Sequence, residues 1–539
     1  MIHNPILRGF NPDPSILRVG DDYFIATSTF EWFPGVQIHH SRDLVHWRLL
    51  ARPLDRLSQL DLRGNPDSGG IWAPCLSYRD GLFYLIYTDV KTWGADQRFK
   101  DCHNYLVTAP DILGPWSEPI YLNSSGFDPS LFHDSDGRKW LLNMRYDHRQ
   151  GKNPFSGIVL QEYDPAQRRL VGPIYTIFSG TELGVTEAPH LYRRGDYYYL
   201  ITAEGGTSYQ HAATLARSRA LTGPYEVHPD NPILTSWGKP ELALQKAGHA
   251  SLVETQSGEW YLAFLCGRPL SRLGACNLGR ETALERLVWH EDGWPHLEAG
   301  RWPRVCVPAP ALPPHPFAPE PERDDFDHPN LSIHFQAPRI PIHEDWCSLK
   351  ARPGYLRLIG RESLASRHAT SLIGRRLQAQ QAVAETALEF APEDFQQMAG
   401  LAAYYNSENW VYLRLSRDEV LGNTLNILVC DNRRYSEPIA EVAISEARRV
   451  GLRLTFAGPS FYFEYALGNS WQRIGPEFEA GKLSDDYCQG LSFTGTFIAL
   501  CAQDLSGRRQ HADFDYFSYQ EKGGSTAPLP QQVGVACQS

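Results

Sequence analysis

Three acidic residues, Asp13, Asp128 and Glu187, occupy matching places in a pattern that the chain repeats five times. The segments NPDPSILRVGDDYFIATST, IWAPCLSYRDGLFYLIYTD, FDPSLFHDSDGRKWLLNM, TEAPHLYRRGDYYYLITAEGG and GHASLVETQSGEWYLAFLC align with Pro14, Pro74, Pro129, Pro189 and Ser251 in register. Their spacings are 60, 55, 60 and 62 residues. Just before that column stand Pro12-Asp13, Trp72-Ala73, Phe127-Asp128, Glu187-Ala188 and His249-Ala250. Small residues are the rule of the repeat there, so the acids depart from it. Taken singly, Asp13 and Asp128 read as turn formers and Glu187 as a solvated edge charge. Taken together, three acids in one place repel one another and raise at least one pKa, a cost that function or a bound metal offsets. Two chemistries fit. Hydrolysis of a glycosidic bond needs a protonated acid at the leaving oxygen and a carboxylate opposite it. Coordination of a hard cation such as Ca²⁺ needs several oxygen ligands. Phe30, Trp32, Trp72 and Phe127 favour sugar, because flat apolar rings cover the C–H face of a pyranose; core packing is the competing role for each.

The elements that position these side chains follow from the same repeat. In each copy a short apolar strand leads through a glycine turn to an aromatic strand, at Tyr23, Phe83, Trp140, Tyr198 and Trp260. Outer segments also echo one another: SRDLVHW from Ser41, APDILGPW from Ala109 and SRALTGPY from Ser218. No helical 3.6-residue periodicity intervenes, and repeats of several strands each predict a five-bladed β-propeller. The first strand of every blade then lines a central channel, which gathers Asp13, Asp128, Glu187 and His249 from distant parts of the chain. His249 has an equally simple role as a structural histidine. Residues 308–321, PAPALPPHPFAPEP, hold seven prolines in fourteen positions and make a stiff connector. Beyond it, period-2 runs such as Trp410–Leu415 and Ser460–Tyr465 predict antiparallel strands of a β-sandwich. The expected division is a propeller over 1–307, a linker over 308–324, a sandwich over 325–520 and a flexible tail over 521–539.

Composition narrows the partners. The 539 residues carry a formal charge of −11, which disfavours nucleic acid and anionic membrane. Aromatics make up 12% of the chain, with 44 Gly, 39 Pro and only 3 Met, as suits an all-β protein rich in tight turns. The sequence begins without a basic-then-apolar leader and has no 18-residue apolar run, so a cytoplasmic location and no membrane contact are expected. The ten cysteines lack metal-type spacing and are expected to be free thiols.

The sequence resembles glycoside hydrolase family 43, and within it the two-domain β-xylosidases, from about Ile6 through Tyr519. The markers are GFNPDPSI (Gly9–Ile16), STFEWFPGVQIHHSRDLVHW (Ser28–Trp47), GIWAP (Gly70–Pro74), FDPSLF (Phe127–Phe132), TEAPH (Thr186–His190), TAEGGT (Thr202–Thr207), KAGHAS (Lys246–Ser251) and LGRET (Leu278–Thr282). The resemblance implies a five-bladed propeller carrying the active site, followed by a jelly-roll, concanavalin-like β-sandwich. It implies that Asp13 is the general base, Glu187 the general acid, and Asp128 the residue that orients the acid and keeps its pKa high. Arg280 is similar to the arginine that bonds substrate hydroxyls, and Phe30, Trp72 and Phe127 look like walls of one sugar pocket, with His249 beside them. Phe493, in LSFTGTF, is the candidate for the aromatic residue by which the sandwich closes that pocket. The implied activity is inverting, exo-acting removal of D-xylose from the non-reducing end of β-1,4-xylooligosaccharides, with α-L-arabinofuranosidase as a side activity. Two readings compete: arabinofuranosidase as the main activity, and a non-catalytic sugar-binding propeller. No cofactor is expected to be required, a channel cation such as Ca²⁺ is left open, and relatives suggest a homo-oligomer, dimer or tetramer. The segment Ser271–Asn277 is shorter than expected and is placed near the pocket rim.

Overall fold

The computed structural model describes residues 1–94, 97–444 and 447–522. The tail expected over 521–539 lies almost wholly outside the described residues.

The repeat becomes five antiparallel sheets. Their first strands are Ser15–Val19, Gly70–Arg79, Gly126–His133, Glu187–Arg194 and Gln245–Glu254, and each pairs with the aromatic strand that follows it across a tight turn. Four of the sheets have four strands, and the fourth in sequence carries a fifth. First strands of different blades approach one another around the axis, and their inner residues are buried, as a filled propeller channel requires. The ring is closed by the N-terminus: Ile2–His3 pairs with Cys306–Val307, Leu7 bridges Thr282, and buried Asn4 exchanges hydrogen bonds with Leu284.

The proline-rich stretch after Val307 forms no strand or helix before Arg323–Asp324, which pairs with Phe517 and Ser518 as the first edge of the second domain. That domain is two antiparallel sheets packed face to face. The runs read as strands in the sequence are Asn409–Asp418 and Ser460–Ala466. Among the described residues the only helix is one 3₁₀ turn, Ala480–Lys482, and no helix is long and apolar enough to cross a membrane.

The domains share a core. Trp32 stacks on Phe497 of the sandwich, with centroids 3.5 Å apart, and meets Tyr404 edge-on at 5.9 Å. Trp32–Phe33 pairs with Ala337–Pro338 across the joint. Beside this contact, Arg339 donates to Asp67 at 2.7 Å and the Ser407 hydroxyl to the other Asp67 oxygen at 2.6 Å, all three residues being buried. Trp32 is therefore a domain-interface residue; the sugar-wall role considered for it in the sequence does not hold. Eight cysteines are free thiols, as expected, whereas Cys306 is disulfide-bonded.

Candidate active site

A backbone irregularity common to the blades builds the site. Asp13, Ala73, Asp128 and Ala188 have φ between 32° and 56°, and His249 has φ 45°. In blades two to five the pairing register slips at this point, between Trp72 and Cys75, Phe127 and Ser130, Glu187 and His190, and Gly248 and Ala250. Each slip is a β-bulge, which breaks strict alternation and re-aims side chains. Asp128 and Glu187, one position apart in the repeat, are thereby brought into electrostatic reach of each other. Left-handed backbone is unfavourable for residues other than glycine, and its recurrence at equivalent places marks a functional constraint.

The three carboxylates converge and are almost wholly enclosed: Asp13 is 5%, Glu187 6% and Asp128 7% exposed. Asp13 accepts the Ser28 hydroxyl at 2.6 Å and Arg280 Nη1 at 3.3 Å, and His249 Nδ1 lies 3.5 Å from the same oxygen as Arg280. Burial opposes its ionisation, but the charge of Arg280, His249 and the Ser28 hydrogen bond outweigh burial and hold Asp13 below the usual carboxylate range. Glu187 goes the other way. Burial, then the charges of Asp128 and Asp13, push it well above its ordinary value. Asp128 is likewise raised, by burial and by Asp13, so Asp128 and Glu187 titrate as a pair. One carboxyl held low beside a coupled pair held high is the arrangement that acid–base cleavage of a glycosidic bond requires.

Rings enclose the carboxylates. Phe30 and Trp72 lie 6.1 Å apart, Trp72 and Phe127 5.3 Å, and Phe493 reaches in from the sandwich to within 6.0 Å of Phe30 and 5.5 Å of Trp72. Phe493 is held through both of its backbone polar groups: its N–H donates to Ser68 Oγ at 2.9 Å and its carbonyl accepts Arg280 Nη2 at 3.2 Å. Gly279 makes this approach possible. With φ 75°, a Cβ there would lie 2.5 Å from the Thr494 carbonyl. Of the ten residues singled out in the sequence, all but Trp32 thus lie in one cluster or its walls.

Several contributors escaped the sequence reading. Ser28 donates to Asp13 and accepts the N–H of positive-φ Ala73 at 2.8 Å, tying blade one to blade two. Asp485 of the sandwich faces Arg280 at 3.9 Å, accepts the Tyr405 hydroxyl at 2.5 Å, and is pushed by burial to about 7. Trp93 packs 4.9 Å from Trp72. None of these lies in the repeat column, the one feature that pointed to the acids. The segment Ser271–Asn277 is anchored by Tyr209, which donates to the Gly274 carbonyl at 2.5 Å, and by Asp486, which accepts the Cys276 N–H at 2.8 Å. Among the described residues no group of three or more His, Cys, Asp or Glu side chains is placed to hold a metal ion.

Ser28 gives a pH prediction. Its hydrogen bond lowers the Asp13 pKa, so Ser28→Ala raises that pKa. The acid limb of any activity that needs ionised Asp13 should move to higher pH, with the alkaline limb little changed. A pH–rate profile of the variant checks this.

Comparison with known proteins agrees with this geometry. The model for Glycosyl hydrolases family 43 matches residues 2–295, and that for the Beta xylosidase C-terminal Concanavalin A-like domain matches residues 323–520. A beta-xylosidase of Bacillus subtilis (strain 168) is 54% identical over 534 residues, covering 97% of this chain and all of the relative. Xylosidase/arabinosidase 43B of Humicola insolens is 51% identical, covering 96% of this chain and 97% of its own length. The crystal structure of a xylan beta-1,4-xylosidase from Bacillus Halodurans C-125 superposes with a TM-score of 0.95 at 57% identity, covering 97% of this chain and all of that one.

Proposed function

The chain belongs to glycosyl hydrolase family 43, and on that premise we propose that it is an inverting, exo-acting β-1,4-xylosidase. It releases D-xylose from the non-reducing end of short xylooligosaccharides, with α-L-arabinofuranosidase as a side activity. The observation that carries the reading is the opposed tuning of two carboxyls in one enclosed, ring-walled space: Asp13 lowered, Glu187 raised.

Asp13, ionised, takes a proton from a water molecule as the water oxygen attacks the anomeric carbon. Glu187, protonated, gives its proton to the departing glycosidic oxygen as the C–O bond breaks. Asp128 supplies the negative charge that, after burial, keeps the proton on Glu187. Arg280 holds Asp13 ionised and presents its remaining N–H groups to sugar hydroxyls, while His249 borders the same pocket. Phe493 packs against Phe30 and Trp72 from the sandwich side, and this added wall supports the exo reading, in which one terminal sugar enters at a time. A cytoplasmic setting is part of the proposal, and the sandwich surface is the proposed contact of a homo-oligomer.

The test is turnover of 4-nitrophenyl β-D-xyloside against 4-nitrophenyl α-L-arabinofuranoside, with xylotriose as the natural-linkage arm. Higher kcat/KM on the xyloside and stepwise xylose release from xylotriose are expected. Preference for the arabinofuranoside would reverse the order of activities, and no release from any of the three would leave only a sugar-binding role.

A further inference from the structure

Away from the carboxylates, a cavity of about 560 Å³ opens where the N-terminal strap, the first blade, the proline-rich connector and the sandwich meet. Five arginines line it, Arg8, Arg48, Arg52, Arg375 and Arg376, against three acids, Glu320, Glu322 and Glu521. Two of the cations are matched: Arg8 lies 2.5 Å from Glu521 and Arg375 3.3 Å from Glu320. The others are not. Arg52 spends its terminal nitrogens on neutral oxygens, the Ile333 and Phe335 carbonyls and Gln37 Oε1. Arg376 bonds only the Phe10 carbonyl, at 2.8 Å, and Arg48 lies over the Phe317 ring. Among the described residues no carboxylate stands within ion-pair distance of these three.

Arg376 is 6% exposed, and its Nη2 has no hydrogen-bond partner; Arg52 Nε, Arg375 Nε and His39 Nδ1 are likewise unpartnered. A guanidinium does not readily give up its proton, so one buried without a counter-charge is strongly unfavourable until negative charge is supplied. The neighbours respond to the excess. Burial pushes His39 and His334 to about 3, and the surrounding arginines add to the effect at both.

We propose that this cavity is a binding site for a small oxyanion, held by the guanidinium groups of Arg52 and Arg376. Planar guanidinium forks match carboxylate and phosphate oxygens alike. Glu320 and Glu322 lie on the connector wall and repel an anion from that side. Glu320 is engaged by Arg375 and by His334 Nε2 at 3.3 Å, so the ligand is drawn to the opposite wall, where the unmatched charge is. That wall leads to the candidate base. Arg376 grips the Phe10 carbonyl, and Arg52 holds Gln37, which donates to Asn11 Oδ1 at 2.7 Å; Phe10 and Asn11 directly precede the Asp13 turn. An anion that fixes both arginines also fixes the strap that carries Asp13 and joins the domains.

The experiment is calorimetric titration of the full-length protein, exchanged into anion-poor buffer at constant ionic strength, with inorganic phosphate and separately with citrate. Melting curves are recorded alongside. One-site saturable binding and a saturable rise in Tm are expected from at least one ligand. Phosphate alone identifies a phosphate site and citrate alone a carboxylate site, and either result supports the proposal. Arg52→Gln and Arg376→Gln should each weaken binding about tenfold or more, the loss of charge-assisted hydrogen bonds. Surface Arg149→Gln should leave it unchanged. No saturable binding of either ligand to the wild-type protein overturns the proposal, as does binding that survives both cavity substitutions. If Arg376→Gln does not fold without its bond to Phe10, the wild-type titration and Arg52→Gln decide the question.

Discussion

Asp13→Asn is expected to lower kcat by about 10⁴-fold on an activated aryl β-xyloside and on xylobiose alike, the upper range for loss of a general base. The attacking water has to be deprotonated whatever the leaving group is, so both substrates suffer equally. Asparagine is the informative replacement because Asp13 has φ 56°, a conformation that asparagine tolerates and alanine resists. A matching Tm then shows that the loss is chemical, and Asp13→Ala should lose activity as completely with some stability besides. Asp13→Gly also accepts the backbone and leaves a hole. Azide, which attacks without surrendering a proton, should restore turnover there and yield α-xylosyl azide. Steady-state kinetics with and without azide check all three variants.

Glu187→Ala should separate the same two substrates. From a 2,4-dinitrophenyl xyloside the leaving group is 2,4-dinitrophenolate, a stable anion that needs little protonation, so kcat on this substrate should fall little. From xylobiose the second xylose departs through its 4-oxygen, as an alkoxide unless protonated, and kcat on xylobiose should fall by about 10²–10⁴-fold. The alkaline limb of the pH profile should vanish as well. As the proposed acid, Glu187 acts while protonated, and burial with the Asp128 and Asp13 charges holds its pKa up, so the wild-type rate is expected to fall as pH rises through that pKa. Without a carboxyl at 187 nothing titrates in that role. Equal losses on the two substrates, or an unchanged alkaline limb, would overturn the assignment of acid and base.

The contrast between these variants rests on features of unequal visibility in the sequence. The gathering of Asp13, Asp128, Glu187 and His249 was legible because a propeller converts register along the chain into proximity, and five aligned segments fix that register. The bulges were not. A residue before proline is ordinarily driven to extended backbone, yet Asp13, Ala73, Asp128 and Ala188 all precede proline with positive φ. Packing around the channel overrides the local preference, and no local pattern announces it. Trp32 misled for a related reason: a tryptophan next to pocket residues looks the same whether it faces a sugar or another domain. The sandwich contribution was legible only through family resemblance, which pointed to Phe493. Asp485, which faces Arg280 from the same loop, carries no pattern that links it to a residue some two hundred positions earlier. Ser28 likewise reads as one serine among several, until its hydroxyl is seen between Asp13 and the Ala73 amide.

In the proposed mechanism Asp13 and Glu187 act on opposite faces of one sugar in a single displacement. Proton NMR during the first minutes of hydrolysis of an activated β-xyloside, before the product mutarotates, tests it most directly. α-Xylose is expected to appear first and the β-anomer only later, at the rate of spontaneous mutarotation. Initial β-xylose would require two displacements through a covalent intermediate and would contradict it.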